Sequence, residues 1–220
     1  HAKLQFFTNI THELLTPLTI ISATVDELKT QAPSHNDLYT VMNSNIQRLI
    51  RLLQQILEFR KAETGNLKLR VSPGDIADFV KRETESFQPL VKKRKIHFSV
   101  LCDPEAIIGY FDTDKLDKIL YNLLSNAAKY NKEGGFIQVT LSYDKNKDFV
   151  LLKVKDNGKG ISKEKQKMLF KRFYEGDYRK FNTIGTGIGL SIVSTILKAH
   201  EMLYGVDCKD GYNIFWFVCR

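Results

Sequence analysis

No run of apolar residues in this chain approaches the ~18 that a membrane-spanning helix needs, and no signal peptide is visible. Cysteine is scarce: Cys102, Cys208 and Cys219 are odd in number and lack metal-ligand spacing. They read as reduced core or edge residues, which suits a cytoplasmic compartment. No internal repeat is apparent. The net charge is +8, but basic residues are spread along the chain rather than gathered into an arm. The tightest cluster, Lys92-Lys93-Arg94-Lys95, reads first as a solvated helix end and second as a place for an anionic ligand. Nucleic-acid binding is not supported. What is present is enough for a core: 220 residues, 43% hydrophobic and 26% charged, suit one ordinary domain plus a smaller element. The chain starts at His1 rather than Met, as expected of a piece excised from a longer protein.

From Leu4 to about Leu28 apolar positions recur at alternating steps of three and four. Leu4, Phe7, Leu14, Leu18, Ile21, Val25 and Leu28 form a heptad seam with Thr11 as its polar member. Turn and cap residues follow from Gln31 to Asp37, and a second seam runs through Leu38, Met42, Asn45, Leu49, Leu52, Ile56 and Phe59. The pattern predicts an antiparallel helical hairpin. Two helices alone have too little core, so self-pairing into a dimeric four-helix bundle is expected, and with it a homodimer. On this register His12 falls one step past the seam, on the exposed flank. Glu13 follows it, and Thr16 lies one turn on along the same face. Pro17 predicts a kink one turn from the histidine, a cost better tolerated where geometry serves function.

Around Gly65 the character changes, dividing the chain into residues 1–64 and 65–220. Strands are predicted over 67–72, 96–101, 108–111, 136–143 and 149–154, with two more closing the chain. Helices are predicted over 75–91, 114–130, 162–170 and 187–200. This is the pattern of an α+β sandwich with helices on one face of a sheet.

Three stretches of the second part carry chemistry. Asn122, Asn126, Lys129 and Tyr130 share one side of a helix whose other side is apolar. Amide oxygens suit Mg²⁺, lysine suits phosphate and tyrosine offers a face to a base, although an ordinary polar helix face reads equally well in isolation. Asp156-Asn-Gly-Lys-Gly-Ile161 follows a strand. Its carboxylate can accept from an exocyclic amine such as adenine N6, and Gly158 and Gly160 let backbone approach a ligand, while Asn-Gly is also a common turn. Gly185-Thr-Gly-Ile-Gly-Leu190 opens a helix whose amide groups can bind phosphate, and no Walker lysine-serine pair accompanies it.

In this order, and with a His-Glu-x-x-Thr-Pro hairpin upstream, the motifs resemble the transmitter region of sensor histidine kinases over nearly the whole chain. The resemblance implies a phosphotransfer hairpin followed by an ATP-binding domain of the histidine kinase, gyrase and chaperone type. His12 would be the phosphoacceptor and Glu13 its acid/base partner. Asn126, with Asn122 near it, would hold Mg²⁺, and Lys129 and Tyr130 would meet phosphate and nucleotide. Asp156 would recognise adenine, with Gly158, Gly160 and Ile161 in its loop. Phe170-Lys-Arg-Phe173 is similar to the F box, Arg172 approaching the γ-phosphate. Residues 174–186 would form a mobile ATP lid, closing on Gly185, Thr186, Gly187, Gly189 and Leu190. The implied cofactors are ATP and Mg²⁺. The implied partners are a second copy and a response-regulator receiver domain, in trans or fused in a hybrid kinase. The implied place is the cytoplasmic part of an inner-membrane sensor, the membrane reached only through segments outside this sequence. Thr16 keeps two readings, receiver dephosphorylation or a bond back to the His12 carbonyl. Leu15, Ile184 and Glu201-Met202 depart from the family pattern. Leu15 bears on the receiver surface, and the others bear on lid and C-terminal geometry.

Overall fold

Helix α1 (Ala2–Gln31) runs through Pro17 without interruption, although that residue leaves the Glu13 carbonyl without its usual N–H partner. Beside the proline, the Thr19 hydroxyl donates to the Leu15 carbonyl at 2.9 Å and that of Thr24 to Ile20 at 3.0 Å, bonds back along the helix that ease bending. The computed structural model describes the chain over residues 2–63, 68–170 and 189–219, leaving aside the side chains of 2–13, 33, 48, 51, 52, 55, 56 and 58–63. Two compact units result, His1–Leu67 and Lys68–Arg220.

In the first unit a short turn, Pro33–His35, leads into α2 (Asn36–Glu63). Val25, Tyr39 and Ile46 are buried between the helices, with Ala32 and Ile50 packed against them. A polar layer lies alongside. Ser22 donates to Asn43 Oδ1 at 3.2 Å, Asn43 donates to Asp26 at 2.6 Å, and Gln47 donates to Ser22 at 3.3 Å. Most described heptad residues point elsewhere: Leu14, Ile21, Leu28, Leu38, Met42 and Leu49 are all exposed. Two helices can cover only one narrow face of each other, so the stripe read from the sequence remains open within a single hairpin.

The second unit begins with β1 (Ser72–Asp75), α3 (Ile76–Glu85), α4 (Gln88–Lys93), β2 (His97–Asp103), β3 (Ile108–Phe111) and α5 (Thr113–Lys129). It continues through β4 (Phe136–Asp144), β5 (Phe149–Asp156), α6 (Lys163–Gln166), α7 (Gly189–Ala199), β6 (Tyr204–Lys209) and β7 (Tyr212–Cys219). Strands β1 and β3 pair antiparallel, and the main sheet has the order β2-β4-β5-β7-β6 with only β2–β4 parallel. Alternate residues of its strands point inward, so Val139, Leu141, Leu152, Val154, Phe215 and Phe217 are buried. Against them lie Ile119, Leu120, Leu123 and Leu124 of α5, and Ile192, Ile196 and Leu197 of α7. This is the expected sandwich, one helical layer on one sheet.

Three local expectations are corrected. The strand predicted over 67–72 is displaced: 68–71 carry no regular structure, and pairing with β3 selects Ser72–Asp75. Arg70 N–H goes instead to Asp112 Oδ2 at 2.8 Å. The helix predicted over 75–91 is two helices, because Pro89 in the first turn of α4 cannot donate to the Glu85 carbonyl. The helix predicted over 162–170 is regular only from Lys163 to Gln166, capped by Ser162. At the other end of the unit, Glu201 closes α7 in the left-handed region, φ 54°. Its N–H bonds to Lys198 at 3.0 Å and that of Met202 to Leu197 at 2.9 Å. The turn that glycine commonly makes is therefore kept by a glutamate, at a steric cost of about 1 kcal/mol.

Candidate functional site

Helix α5 starts where the Asp112 carboxylate accepts the Lys115 N–H at 3.1 Å, a side-chain N-cap. Its apolar side is buried, which leaves the Asn122–Tyr130 side to meet other groups. Asn122 is itself buried, donating to the Lys118 carbonyl at 2.7 Å. Its Oδ1 sits 2.6 Å from where a Cβ on Gly189 would stand. Helix α7 thus begins against Asn122, and a larger residue at 189 would have to displace that amide. One turn later the half-buried Asn126 makes no side-chain hydrogen bond among the described residues. Lys129 Nζ donates to the Tyr130 hydroxyl at 3.1 Å and stands 4.7 Å from that ring's centroid. The Arg94 guanidinium donates to the Ala128 carbonyl and steadies the end of the helix.

Asp156 closes β5 and is only 4% exposed. Its Oδ1 accepts two bonds at 2.9 Å, from the Gly158 N–H and from Asn213 Nδ2. Burial pushes its carboxyl above the usual carboxylate range, and these two donors oppose that push. Beyond it, Lys159 N–H donates to the Tyr130 carbonyl at 3.1 Å, and the Lys159 carbonyl accepts from Asn213 at 3.1 Å. The loop is thereby tied to the end of α5 on one side and to β7 on the other. Gly158 is needed for this closeness, since a Cβ there would come within 2.6 Å of the Tyr130 carbonyl oxygen. A Cβ on Gly160 would meet nothing within 4 Å. The Ile161 carbonyl accepts from Gln166 at 2.9 Å.

The structure thus brings Asn122 against Gly189, and Gly158 and Lys159, in the loop that follows Asp156, against the Tyr130 carbonyl. Phe170 packs edge-on against Tyr204, centroids 5.0 Å apart, and against Phe215 at 6.4 Å. Its carbonyl accepts from Ser194 at 3.4 Å, which moors the start of the F-box stretch to the sheet and α7. Leu190 is half-buried in the first turn of α7. Arg172, Gly185, Thr186, Gly187 and the stretch 174–186 lie outside the described residues. His12 and Glu13 lie on α1 with side chains outside the description, and Thr16 one turn later is exposed. Among the described residues no group of three or more His, Cys, Asp or Glu is placed to hold a metal ion. Asn213 was missed by sequence reasoning. The signal was faint: a polar residue at an inward position of an otherwise apolar strand.

Comparison with known proteins finds two domain families in order along the chain. The His Kinase A (phospho-acceptor) domain family matches residues 2–65. The family described as Histidine kinase-, DNA gyrase B-, and HSP90-like ATPase matches residues 111–218. The chain is 34% identical over 207 residues to Histidine kinase P4 of Formosa agariphila, covering 91% of this chain and 15% of that protein. It is 31% identical over 208 residues to the hybrid signal transduction histidine kinase D of Dictyostelium discoideum, covering 90% and 13%. The chain therefore spans only a small part of the length of these relatives. Among solved structures, full-length ShkA in complex with AMPPNP aligns with TM-score 0.81 at 24% identity, over 98% of this chain and 45% of that one. Acinetobacter baumannii histidine kinase AdeS aligns with TM-score 0.67 at 21% identity, over 94% and 96%. These two likenesses speak for the fold. With both domain families matched in order along one chain, the chain belongs to the histidine kinases, as the transmitter region of a sensor kinase.

Proposed function

We propose that this chain is the catalytic portion of a two-component sensor kinase, transferring the γ-phosphoryl group of ATP to His12 and then to an aspartate of a receiver domain. Residues 1–64 act as the dimerisation and phosphotransfer domain and residues 65–220 as the ATP-binding domain. The observation that carries the reading is Asp156: a buried carboxylate with one oxygen saturated, tied through its loop to a helix bearing Asn126, Lys129 and Tyr130. It shares a chain with the His12-Glu13 hairpin.

The second oxygen of Asp156 has no partner among the described residues and suits the N6 amine of adenine. Lys129 and the helix start at Gly189–Leu190 suit the phosphates, with Gly185, Thr186 and Gly187 preceding it. Asn126 has an amide oxygen without a competing partner among the described residues, which fits the hard oxygen donors Mg²⁺ prefers; the ion would neutralise phosphate charge there, with Asn122 on the same helix side. Arg172 is assigned to the γ-phosphate and residues 174–186 to a lid over the site. Phosphoryl transfer needs positioning and charge neutralisation more than covalent help. An imidazole of ordinary acidity, pKa about 6.5, is largely neutral at pH 7. Nε2 of His12 attacks phosphorus as the bond to the ADP oxygen breaks, while Glu13 orients or accepts the Nδ1 proton. Thr16 is assigned to receiver dephosphorylation.

The exposed stripe of Leu14, Ile21, Leu28, Leu38, Met42 and Leu49 supports a homodimer, since a second hairpin would bury it. No helix of the described residues is long and apolar enough to cross a membrane; a cytoplasmic place of action belongs to the same proposal. Incubation with labelled ATP and Mg²⁺ tests the core of it. Acid-labile, alkali-stable label is expected on the parent and none on His12→Gln with nucleotide binding intact. Label retained by that variant would refute the assignment.

A further inference from the structure

Asn213 lies directly across from Asp156, paired in register on neighbouring antiparallel strands. Both side chains point into the domain and both are 4% exposed. The polar atoms of the Asn213 amide are all engaged. Nδ2 donates to Asp156 Oδ1 at 2.9 Å and to the Lys159 carbonyl at 3.1 Å, while Oδ1 accepts from the Cys208 thiol at 3.4 Å. Two acceptors on one side and a donor on the other leave the amide a single sensible orientation.

These bonds join the two things that must be placed together for a purine to be read. One is the carboxylate, whose Oδ1 is saturated by Asn213 and Gly158 so that Oδ2 remains for a ligand. The other is the loop beyond it, whose Lys159 peptide groups reach both the Tyr130 carbonyl and Asn213. Without the amide, Asp156 keeps one donor and can rotate, and the loop loses its tie to β7. A hydrogen bond to a charged group in a dry site is among the stronger ones, and its geometry is fixed by its surroundings.

We infer that Asn213 is a positioning residue for nucleotide-base selection: it holds the Asp156 carboxylate and the 157–160 loop in the one arrangement that accepts a 6-amino purine. The inference rests on the nucleotide-site reading above and goes beyond it by assigning discrimination to a residue on another strand. Asn213 touches the ligand in no step; it acts through Asp156.

Calorimetric titration of the full chain with ATP and with inosine triphosphate, which carries a carbonyl in place of the amine, tests this. The parent is expected to prefer ATP. Asn213→Ala should lose ATP affinity by about tenfold or more, the scale of a lost charge-assisted bond, while inosine triphosphate affinity changes less than about threefold. Asn213→Ser keeps one donor and should recover part of the preference. In an Asp156→Asn background, Asn213→Ala should cost ATP affinity less than about threefold, because the two act as one unit. Equal losses for both nucleotides, or losses that multiply independently in the double variant, would overturn the inference and mark Asn213 as structural. A parent that binds neither nucleotide overturns the nucleotide-site reading together with it. A parent that prefers ATP, with Asn213→Ala and Asn213→Ser both keeping that preference, overturns this inference alone.

Discussion

Replacing Gly158 with alanine would place a Cβ 2.6 Å from the Tyr130 carbonyl oxygen, 3.0 Å from Asp156 Oδ1 and 3.1 Å from Asn131 Cα. Two of those atoms are backbone at the end of α5, so no flexible side chain can yield. Carbon and oxygen do not sit comfortably closer than ~3.3 Å, so the loop must retreat by about 0.7 Å. That movement strains or breaks two bonds: Gly158 N–H to Asp156 at 2.9 Å and Lys159 N–H to Tyr130 at 3.1 Å. A bond to a carboxylate contributes about 1.5–3 kcal/mol and a neutral one about 0.5–1.5 kcal/mol, so losing both outright would cost about 2–4.5 kcal/mol. Part of it falls on folding and part on binding. With about 1.4 kcal/mol per tenfold, ATP affinity should drop about tenfold to a hundredfold, with a lower melting temperature. Gly160→Ala is the internal comparison, since its Cβ meets nothing within 4 Å. It should bind ATP within about threefold of the parent, because open space carries no overpacking cost. Calorimetry and thermal melts on both variants suffice. If Gly158→Ala binds ATP as the parent does, the steric reasoning is wrong. If Gly160→Ala loses as much with an unchanged melting temperature, the glycines serve ligand approach rather than loop packing.

The hairpin and the helix interface of the second unit each offer a further test. Ile21→Lys, on a side chain 46% exposed in the single hairpin, should shift the chain to monomer in sedimentation at micromolar concentration with helicity retained; an unchanged dimer would place the interface elsewhere. Burial, a hydrogen bond to Glu83 and the charges of Glu83 and Asp114 push the Asp117 carboxyl up to about 6, against the pull of Lys118. The folded state then holds a proton the unfolded chain has released, so this group's contribution to stability falls as pH rises from its ordinary value of 3.8 through about 6. Asp117→Asn should accordingly melt higher than the parent at pH 7.5, by an increment that shrinks toward pH 4.5; an increment independent of pH would sink this account.

Much of the architecture could be read from local pattern alone. Helix α5, with apolar residues at helical spacing and Asp112 before it, was expected over 114–130 and spans Thr113–Lys129, and β3 fell on Ile108–Phe111 as expected. Periodicity and capping are properties of neighbouring residues, so a single sequence carries them. The order of the motifs along the chain was also legible, because each is contiguous, and it was enough to point to the family.

Tertiary structure decided what depends on residues far apart in the chain. The β1 strand sits at Ser72–Asp75 rather than 67–72 because its partner β3, not its own composition, selects the pairing segment. Of the heptad residues, Val25 lies between the two helices with Tyr39 and Ile46, while Leu14, Ile21, Leu28, Leu38, Met42 and Leu49 face outward, because two helices cover only one narrow face of each other. Gly158 and Gly160 look alike in sequence, yet one lies against the Tyr130 carbonyl and the other faces open space. Asn213 meets Asp156 across 57 residues of sequence, through the register of two antiparallel strands. Spacing within a motif can propose a carboxylate for a ligand, but its neighbours across the sheet orient it, and they are set by the fold.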